Sequence, residues 1–319
     1  MAASEFPDVS RPVAKTPRPS RSLSDVEVVP LRHWGRVLAA AVALLVTAAL
    51  IRAFARAQID WSVVRQFLTM HAIFVAFTHT LLITACAMLL GLALGIVFAT
   101  MRLSRNPVTS SIAWVYVWFF RGTPVLLQLL LWFNLSVVFP KLGFPGLGSV
   151  ATISVITPFV AALLGLGVNE GAYLTEVIRA GIQSVDEGQE EAAAALGLSR
   201  GQTLRTIVLP QAMRVIIPPV GNETIGMLKT SSLAAVISYG ELLQQSQKIY
   251  FVNGRVMELL IVAGAWYLLA TSVLSTGQYY LERHMARGLQ RARPRSSIER
   301  LVIGLLDRRR RRREQKGAR

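Results

Sequence analysis

The sequence predicts an all-α membrane protein of about six transmembrane helices, with one polar segment held at the membrane surface. Hydrophobic residues make up 53% of the 319 residues and charged residues 16%, whereas soluble domains average about 25% charged residues. Long apolar runs recur along the chain, and most are long enough to cross a bilayer as a helix. The formal net charge of +16 therefore indicates a membrane orientation before it indicates a nucleic-acid partner.

Six apolar runs define the predicted spans, because about 20 apolar residues are needed to cross the hydrocarbon core. The predicted spans are residues 37–54, 72–101, 112–138, 153–178, 212–237 and 256–276. Asp60 and Trp61 mark the segment 55–70 as an interfacial loop. Residues 140–149 are expected to form an outer loop, and a further loop that carries Glu241 precedes the last span.

Basic residues set the expected orientation of the spans. The two tails, 1–36 and 278–319, hold most of the Lys and Arg, so both are expected in the cytoplasm. An even number of spans satisfies this. The first tail is polar and is expected to be disordered. In the second, an apolar stripe at 296–305 and six arginines at 308–313 predict an amphipathic helix on anionic lipid.

Two predicted spans contain small-residue motifs. The Gly-x-x-x-Gly motif at 91–95 lets another helix approach the second span closely, and the same motif occurs at 167–171 in the fourth. Near the end of the fourth span, Glu176 and Arg179 have i,i+3 spacing, and we expect them to form an ion pair.

The third predicted span is interrupted at residues 121–124, which read Arg-Gly-Thr-Pro. Proline removes a helix hydrogen bond, and a charge inside a span is costly enough to indicate function. In the alternative interpretation, the membrane helix begins only at Pro124, and residues 112–123 lie at the interface.

The polar segment 184–210, which we name the elbow, is the longest internal stretch that does not suit a bilayer. Ser184 and Glu187 have capping-box spacing, so a helix is expected to begin there. Acidic residues fill its first turns and suit the positive end of the helix dipole. Gly197 falls where a left-handed residue ends a helix.

The second half of the elbow predicts another short helix. Ser199 and Gln202 form a second capping box, and Pro210 is expected to end the helix. The elbow is therefore predicted to be a helix, a glycine turn and a helix. Other interpretations are an amphipathic hairpin lying on the bilayer and a DNA-binding helix-turn-helix, although transmembrane runs on both sides argue against the second.

The elbow resembles the signature loop of ABC-importer permeases. The residues that carry the resemblance are Glu191-Ala192-Ala193, Gly197 and Ile207-Val208-Leu209-Pro210. Residues 121–124 with Gln128, 171–182 and 229–233 are similar to the polar amino-acid branch, the type I importers like the histidine and glutamine permeases. The resemblance covers about residues 72–276 and leaves the first span and both tails uncovered.

The resemblance implies a five-helix importer core at 72–277, an added N-terminal helix at 37–54, and transport by alternating access across the inner membrane. In this family the elbow is a coupling helix that inserts into a separate cytoplasmic ATPase subunit. The residues implied in ATPase coupling are Glu190, Glu191, Ala192, Ala193, Gly197, Leu209 and Pro210. The implied partners are that ATP-binding subunit with its ATP and Mg²⁺, a second permease subunit (identical or a paralogue), a periplasmic solute-binding protein and an amino acid.

The chain itself is not expected to be an enzyme or to hold a cofactor. Residues 221–226 begin and end in Gly but lack the Lys that a P-loop needs directly after the second Gly. The single Cys86 and four scattered histidines offer no metal-ligand spacing, and an enzyme acting on lipid would need such a cluster. A channel or scaffold without an ATPase partner stays an alternative, although it would not need the elbow.

Polar residues within the spans mark a candidate solute path. Asn222 and Glu223 lie near the middle of the fifth span, where Pro218 and Gly221 are expected to loosen the helix. A carboxylate there could receive an ammonium group, and an amide could hold a carboxylate. The other candidates are Thr230, Ser231, Glu170 and Tyr173. Alternatively, Asn222 and Glu223 pack the interface between two subunits, since polar residues often hold transmembrane helices together.

Overall fold

The computed structural model describes residues 34–56, 59–144 and 148–285. The chain divides into two units, one up to Ile59 and one from Asp60 onward. In the described part of the first unit, helix α1 (Trp34–Arg56) covers the predicted first span. The predicted polar tail, apart from its last residues, and the predicted amphipathic helix at 296–305 lie outside the described residues.

The second unit is almost entirely helical where it is described. Its α-helices are α2 (Trp61–Leu68), α3 (His71–Arg102), α4 (Pro107–Gly122), α5 (Val125–Phe133), α6 (Leu135–Val138), α7 (Thr152–Val155), α8 (Pro158–Gln183), α9 (Glu187–Ala195), α10 (Arg200–Thr203), α11 (Leu209–Thr230), α12 (Leu242–Asn253) and α13 (Val256–Met285). A π-helical turn, Leu204–Val208, joins α10 to α11, and a 3₁₀-helix, Ser231–Ile237, follows α11.

A small hairpin occupies the predicted outer loop. Strands β1 (Lys141–Phe144) and β2 (Gly148–Ala151) pair antiparallel, with Lys141 opposite Ala151. The sequence predicted a loop here and did not predict the two strands, which satisfy each other's backbone hydrogen bonds.

Two further predicted loops contain helices. The segment 55–70 contains α2, whose N-cap Asp60 accepts hydrogen bonds from the backbone of Ser62 and Val63. The Ser62 hydroxyl also donates to this carboxylate at 2.6 Å, which lowers the pKa of Asp60. The loop predicted before the last span is α12, which begins after Glu241.

Glu241 is fully buried and organises the corner between α12, α13 and α3. Its carboxylate caps α12 by accepting from the backbone N–H of Leu243 at 2.9 Å and of Gln244 at 2.7 Å. The Tyr267 hydroxyl of α13 donates to the same carboxylate at 2.7 Å. The Thr80 hydroxyl of α3 accepts from the backbone N–H of Leu242 at 3.0 Å. A buried carboxylate needs such partners, and one of them, Tyr267, comes from another helix.

The described helices do not reach the predicted count of six spans on length and composition. Three of them, α1, α3 and α13, are long and apolar enough to cross a membrane, and α4 with α5 makes a fourth if this pair, bent by 102°, is one span. The bend falls at residues 121–124, where the sequence predicted an interruption. The predicted fourth and fifth spans correspond to α8 and α11, which carry more charged and polar residues.

Helices α3 and α8 pack closely along their length, which confirms the close approach predicted from the motif at 91–95. A Cβ atom on Gly91 would lie 2.9 Å from the Glu170 side chain, and one on Gly95 would lie 2.8 Å from Leu174. The second motif, at 167–171, meets α3 from the other side, against Leu90 and Leu94. Each helix therefore presents glycines to the other, and the two backbones approach within side-chain distance.

We predict that Gly95→Ala lowers the stability of the protein, because the added methyl group meets the backbone of α8 as well as Leu174. Overpacking of this kind costs about 1–3 kcal/mol. Thermal unfolding of the detergent-solubilised chain measures the effect. Gly264→Ala is the matched control, since a Cβ at Gly264 meets no described atom within 4 Å. Equal midpoints for the two variants would contradict the close contact.

Candidate functional site

The first half of the elbow is a helix that ends in a glycine turn. Helix α9 begins after Asp186, whose carboxylate accepts from the backbone N–H of Gly188 at 2.8 Å. The predicted Ser184 and Glu187 capping box was wrong: Ser184 follows the end of α8 and its hydroxyl donates to the Gly181 carbonyl. Gly197 has φ of +78°, which confirms the predicted left-handed turn.

The second half of the elbow runs without interruption into α11. The predicted capping box is confirmed, since Gln202 accepts from the Ser199 backbone N–H at 2.9 Å and Ser199 accepts from that of Gln202 at 3.4 Å. The prediction that Pro210 ends this helix was wrong. Pro210 lies in the first turn of α11, directly after the π-helical turn, and a proline is tolerated in a first helical turn.

Most of the predicted coupling residues lie on the exposed side of the elbow. Ala193 is 1% exposed and anchors α9 to the rest of the chain. Leu196, beside Gly197, is 81% exposed, so its apolar side chain is available to another protein. The other predicted coupling residues are exposed: Glu190, Glu191, Ala192, Gly197, Leu209 and Pro210.

A cleft of about 370 Å³ lies between the elbow and the turn that joins α3 to α4. Arg105 lines it from that turn, and Glu190 and Arg200 line it from the elbow. Arg105 and the elbow therefore lie at the same end of the molecule.

A second cavity, about 410 Å³ in volume, lies between three helical segments, and we name it the acidic cavity. The broken segment between α4 and α5, helix α8 and helix α11 each supply part of its wall. Its lining residues are Arg121, Gly122, Thr123, Pro124, Val125, Leu166, Asn169, Glu170, Tyr173, Glu223, Met227 and Thr230.

The structure brings four of the six candidate path residues to this cavity: Glu170, Tyr173, Glu223 and Thr230. Asn222 is exposed on α11, and Ser231 is buried with its hydroxyl donating to the Leu228 carbonyl at 2.8 Å. Neither of these two belongs to the described lining of the cavity.

The break between α4 and α5 is held by side-chain amides. The Gln128 amide donates to the Phe120 carbonyl at 3.0 Å and to the carbonyl and hydroxyl of Thr123. The Asn169 amide of α8 donates to the same Phe120 carbonyl at 2.7 Å and to Gln128 at 3.2 Å. Backbone groups freed by a break at membrane depth need such partners. The sequence interpretation left Asn169 without a role, because its partner is a backbone carbonyl in a distant helix.

Two carboxylates and one guanidinium set the charge of the acidic cavity. Glu170 is 5% exposed, and its Oε1 atom finds no hydrogen-bond partner among the described residues. Glu223 is partly buried on the facing helix α11. The Arg121 guanidinium lies 5.0 Å from the centroid of the Tyr173 ring, a cation–π contact at the cavity wall.

A separate ion-pair cluster lies further along α8. The predicted pair of Glu176 with Arg179 is confirmed, at 2.6 Å, and Arg102 of α3 lies 3.7 Å from the same carboxylate. The described residues contain no group of three or more His, Cys, Asp or Glu side chains placed to hold a metal ion.

Residues 91–287 match the model of one protein family, the binding-protein-dependent transport system inner membrane component. The matched range includes the elbow and the acidic cavity. The chain is 43% identical over 284 residues to the arginine transport system permease protein ArgU of Corynebacterium glutamicum, covering 88% of each chain. It is 34% identical to the glutamine transport system permease protein GlnP of Escherichia coli, covering 72% of this chain and 98% of the relative.

The fold is similar to that of a solved amino acid ABC transporter, crystallised with histidines. The TM-score is 0.63 and the identity 32%, covering 72% of this chain and all of the other. Sequence and fold comparisons therefore both point to amino-acid transporters of the ABC class.

We predict that Gln128→Met destabilises the protein by about 1–3 kcal/mol, because the carbonyls of Phe120 and Thr123 lose a donor in a buried site. Thermal unfolding in detergent measures the change. Gln211→Met is the control, since Gln211 is exposed and donates to a carbonyl of its own helical segment. If the two variants unfold at the same temperature, the amide does not hold the break.

Proposed function

This chain belongs to the family of binding-protein-dependent transport system inner membrane components, and from that premise we propose that it is the permease subunit of an ATP-driven importer for a polar amino acid. It is a multi-pass protein of the bacterial inner membrane. The observation that carries the proposal is the continuity of the exposed elbow, through α11, with a charged cavity between the helices. A channel or scaffold would have no use for this connection.

The elbow is the proposed contact with a separate ATPase subunit. Its exposed acidic turn, with Glu190 and Glu191, suits basic or N–H groups of a cleft, and Leu196 supplies an apolar anchor. The ATPase would bring ATP and Mg²⁺. In this chain, the P-loop-like residues 221–226 lie inside α11. Their backbone N–H groups point along the helix axis to other residues of α11 and are not arranged to bind a phosphate.

The proposed topology has both ends and the elbow in the cytoplasm, with six spans formed by α1, α3, α4 with α5, α8, α11 and α13. The cleft between Arg105 and Glu190 supports it, because basic residues that flank a span mark the cytoplasmic side. The first span would be an addition to a five-helix core.

A second permease subunit, identical or a paralogue, is the proposed neighbour of α11. Asn222 and Lys229 are exposed on α11 and lie seven residues apart, on the same face of the helix. Lipid contact would be costly for both, and a facing subunit or a solute path between subunits would satisfy them. A periplasmic solute-binding protein is the proposed donor of the amino acid.

The acidic cavity is the proposed intramembrane binding site for the solute. Arg121 can bind an α-carboxylate, and Glu170 and Glu223 can bind ammonium or guanidinium groups. Two carboxylates against one guanidinium favour an amino acid of net positive charge, and one similar relative belongs to an arginine transport system. L-Arginine is therefore the first substrate to test, and L-glutamine the second.

Gly197→Asp is expected to abolish ATP-driven uptake while the chain stays in the membrane. A side chain at φ of +78° costs about 1 kcal/mol and adds charge at the apex of the elbow. Uptake is measured in proteoliposomes that contain the ATPase subunit, with co-purification of that subunit as a second readout. Gly254→Asp is the control, because Gly254 has φ of +71° and its added Cβ meets no described atom within 4 Å, but it lies outside the elbow, after α12. Normal ATP-driven uptake by the Gly197→Asp variant would contradict the proposed role of the elbow in ATPase coupling.

Glu170→Gln and Glu223→Gln are expected to lower L-arginine uptake by about tenfold or more, since each removes one charged hydrogen-bond acceptor from the cavity. Assembly with the ATPase and the second subunit, measured by size-exclusion chromatography, should be unchanged. Loss of assembly in the Glu223 variant would support the interface interpretation of that residue instead.

A further inference from the structure

Helix α11 connects the elbow to the acidic cavity, yet its two halves pack in different hydrophobic clusters. Near the elbow, Ala212 and Ile216 pack with Ala99 and Ile178, and a Cβ on Gly181 of α8 would overlap Ile216. Near the cavity, Met227 packs in the main cluster between α3, α5 and α8. The first half of α11 therefore packs with residues near the elbow and the second half with residues near the cavity, while Val220, between them, packs against both clusters.

The join between these halves is the weakest part of the helix. Pro218 and Pro219 lie inside α11 and remove two successive backbone N–H donors. Gly221 follows within one turn and adds backbone freedom. Helices bend at such positions, so a force applied at the elbow would bend α11 here unless another contact held it.

One side chain of α13 contacts α11 at this join. The Gln278 amide is buried, and its Nε2 donates to the Pro218 carbonyl at 2.8 Å and to Glu282 Oε1 at 2.9 Å. Its Oε1 lies directly over Gly221, where a Cβ atom would overlap it. Glu282, one turn further along α13, orients the amide, and Gly221 leaves the room for it.

We propose that Gln278 is a positioning residue for energy coupling. Its amide clasps α11 at Pro218 and Gly221, so that movement of the elbow reaches Glu223 and Thr230 as the displacement of one straight helix. This inference rests on the proposed importer function. The sequence interpretation ended the last span at residue 276, and so left Gln278 out.

The test uses the full complex of this chain, its ATPase subunit and its solute-binding protein in proteoliposomes. Gln278→Met keeps the length of the side chain and removes the donor, and Gly221→Ala displaces the amide from the other side. Each variant is expected to lower L-arginine uptake about fivefold to tenfold, the factor that one buried hydrogen bond is worth. ATP hydrolysis should persist, so the ATP consumed per amino acid imported rises.

Thr276→Val is the matched control, because Thr276 is exposed on the same helix and its hydroxyl donates to Ser272 of that helix. Its ratio of hydrolysis to uptake should equal that of the unchanged chain. Replacing both prolines, Pro218→Ala with Pro219→Ala, in the Gln278→Met background is expected to restore uptake, since a continuous hydrogen-bonded helix needs no clasp.

Three results would each contradict the proposed role of Gln278. The first is an equal fall of ATP hydrolysis and uptake in the single variants, and the second is no recovery of uptake when both prolines are replaced by alanine. The third is failure of both single variants to assemble, which would limit Gln278 to a role in folding. The importer proposal fails separately, if the unchanged chain shows no ATP-driven uptake of L-arginine or L-glutamine.

Discussion

The close approach of α3 and α8 is the contact on which the rest of the second unit depends. Glycines on both helices remove the side chains that would separate the backbones. Without a hydrophobic driving force between helices inside lipid, such packing is a main source of association. It fixes the position of α8, and through α8 the positions of Asn169 and Glu170. The first holds the break between α4 and α5, and the second faces α11 across the acidic cavity.

The local features of this fold were largely predictable from the sequence. The turn at Gly197, the capping box at Ser199 and the ion pair of Glu176 with Arg179 involve residues within a few positions of one another. The interruption at residues 121–124 was predictable for the same reason, because proline blocks a hydrogen bond wherever the chain goes.

The features that were missed depend on distant partners or on competing local rules. Ser184 has the right spacing for a capping box with Glu187. However, α8 extends to Gln183, and the Ser184 hydroxyl donates to the carbonyl of Gly181 at the end of that helix. Pro210 was expected to stop a helix, and the π-helical turn before it makes it part of a first turn instead. Glu241 became a buried cap only because Tyr267, on another helix, donates to it.

The polar groups of α11 support the proposal of a second permease subunit. Glu223 faces inward to the cavity, whereas Asn222 and Lys229 lie on the exposed side of the same helix. Adjacent residues on a helix point about 100° apart, so Asn222 and Lys229 face a different direction from Glu223. The cost of leaving Asn222 and Lys229 in lipid therefore favours assembly with a facing subunit. In the proposed importer, α11 would then both receive movement from the elbow and form the boundary between two permease subunits. Coupling to the ATPase and assembly with the second subunit would therefore depend on the same helix.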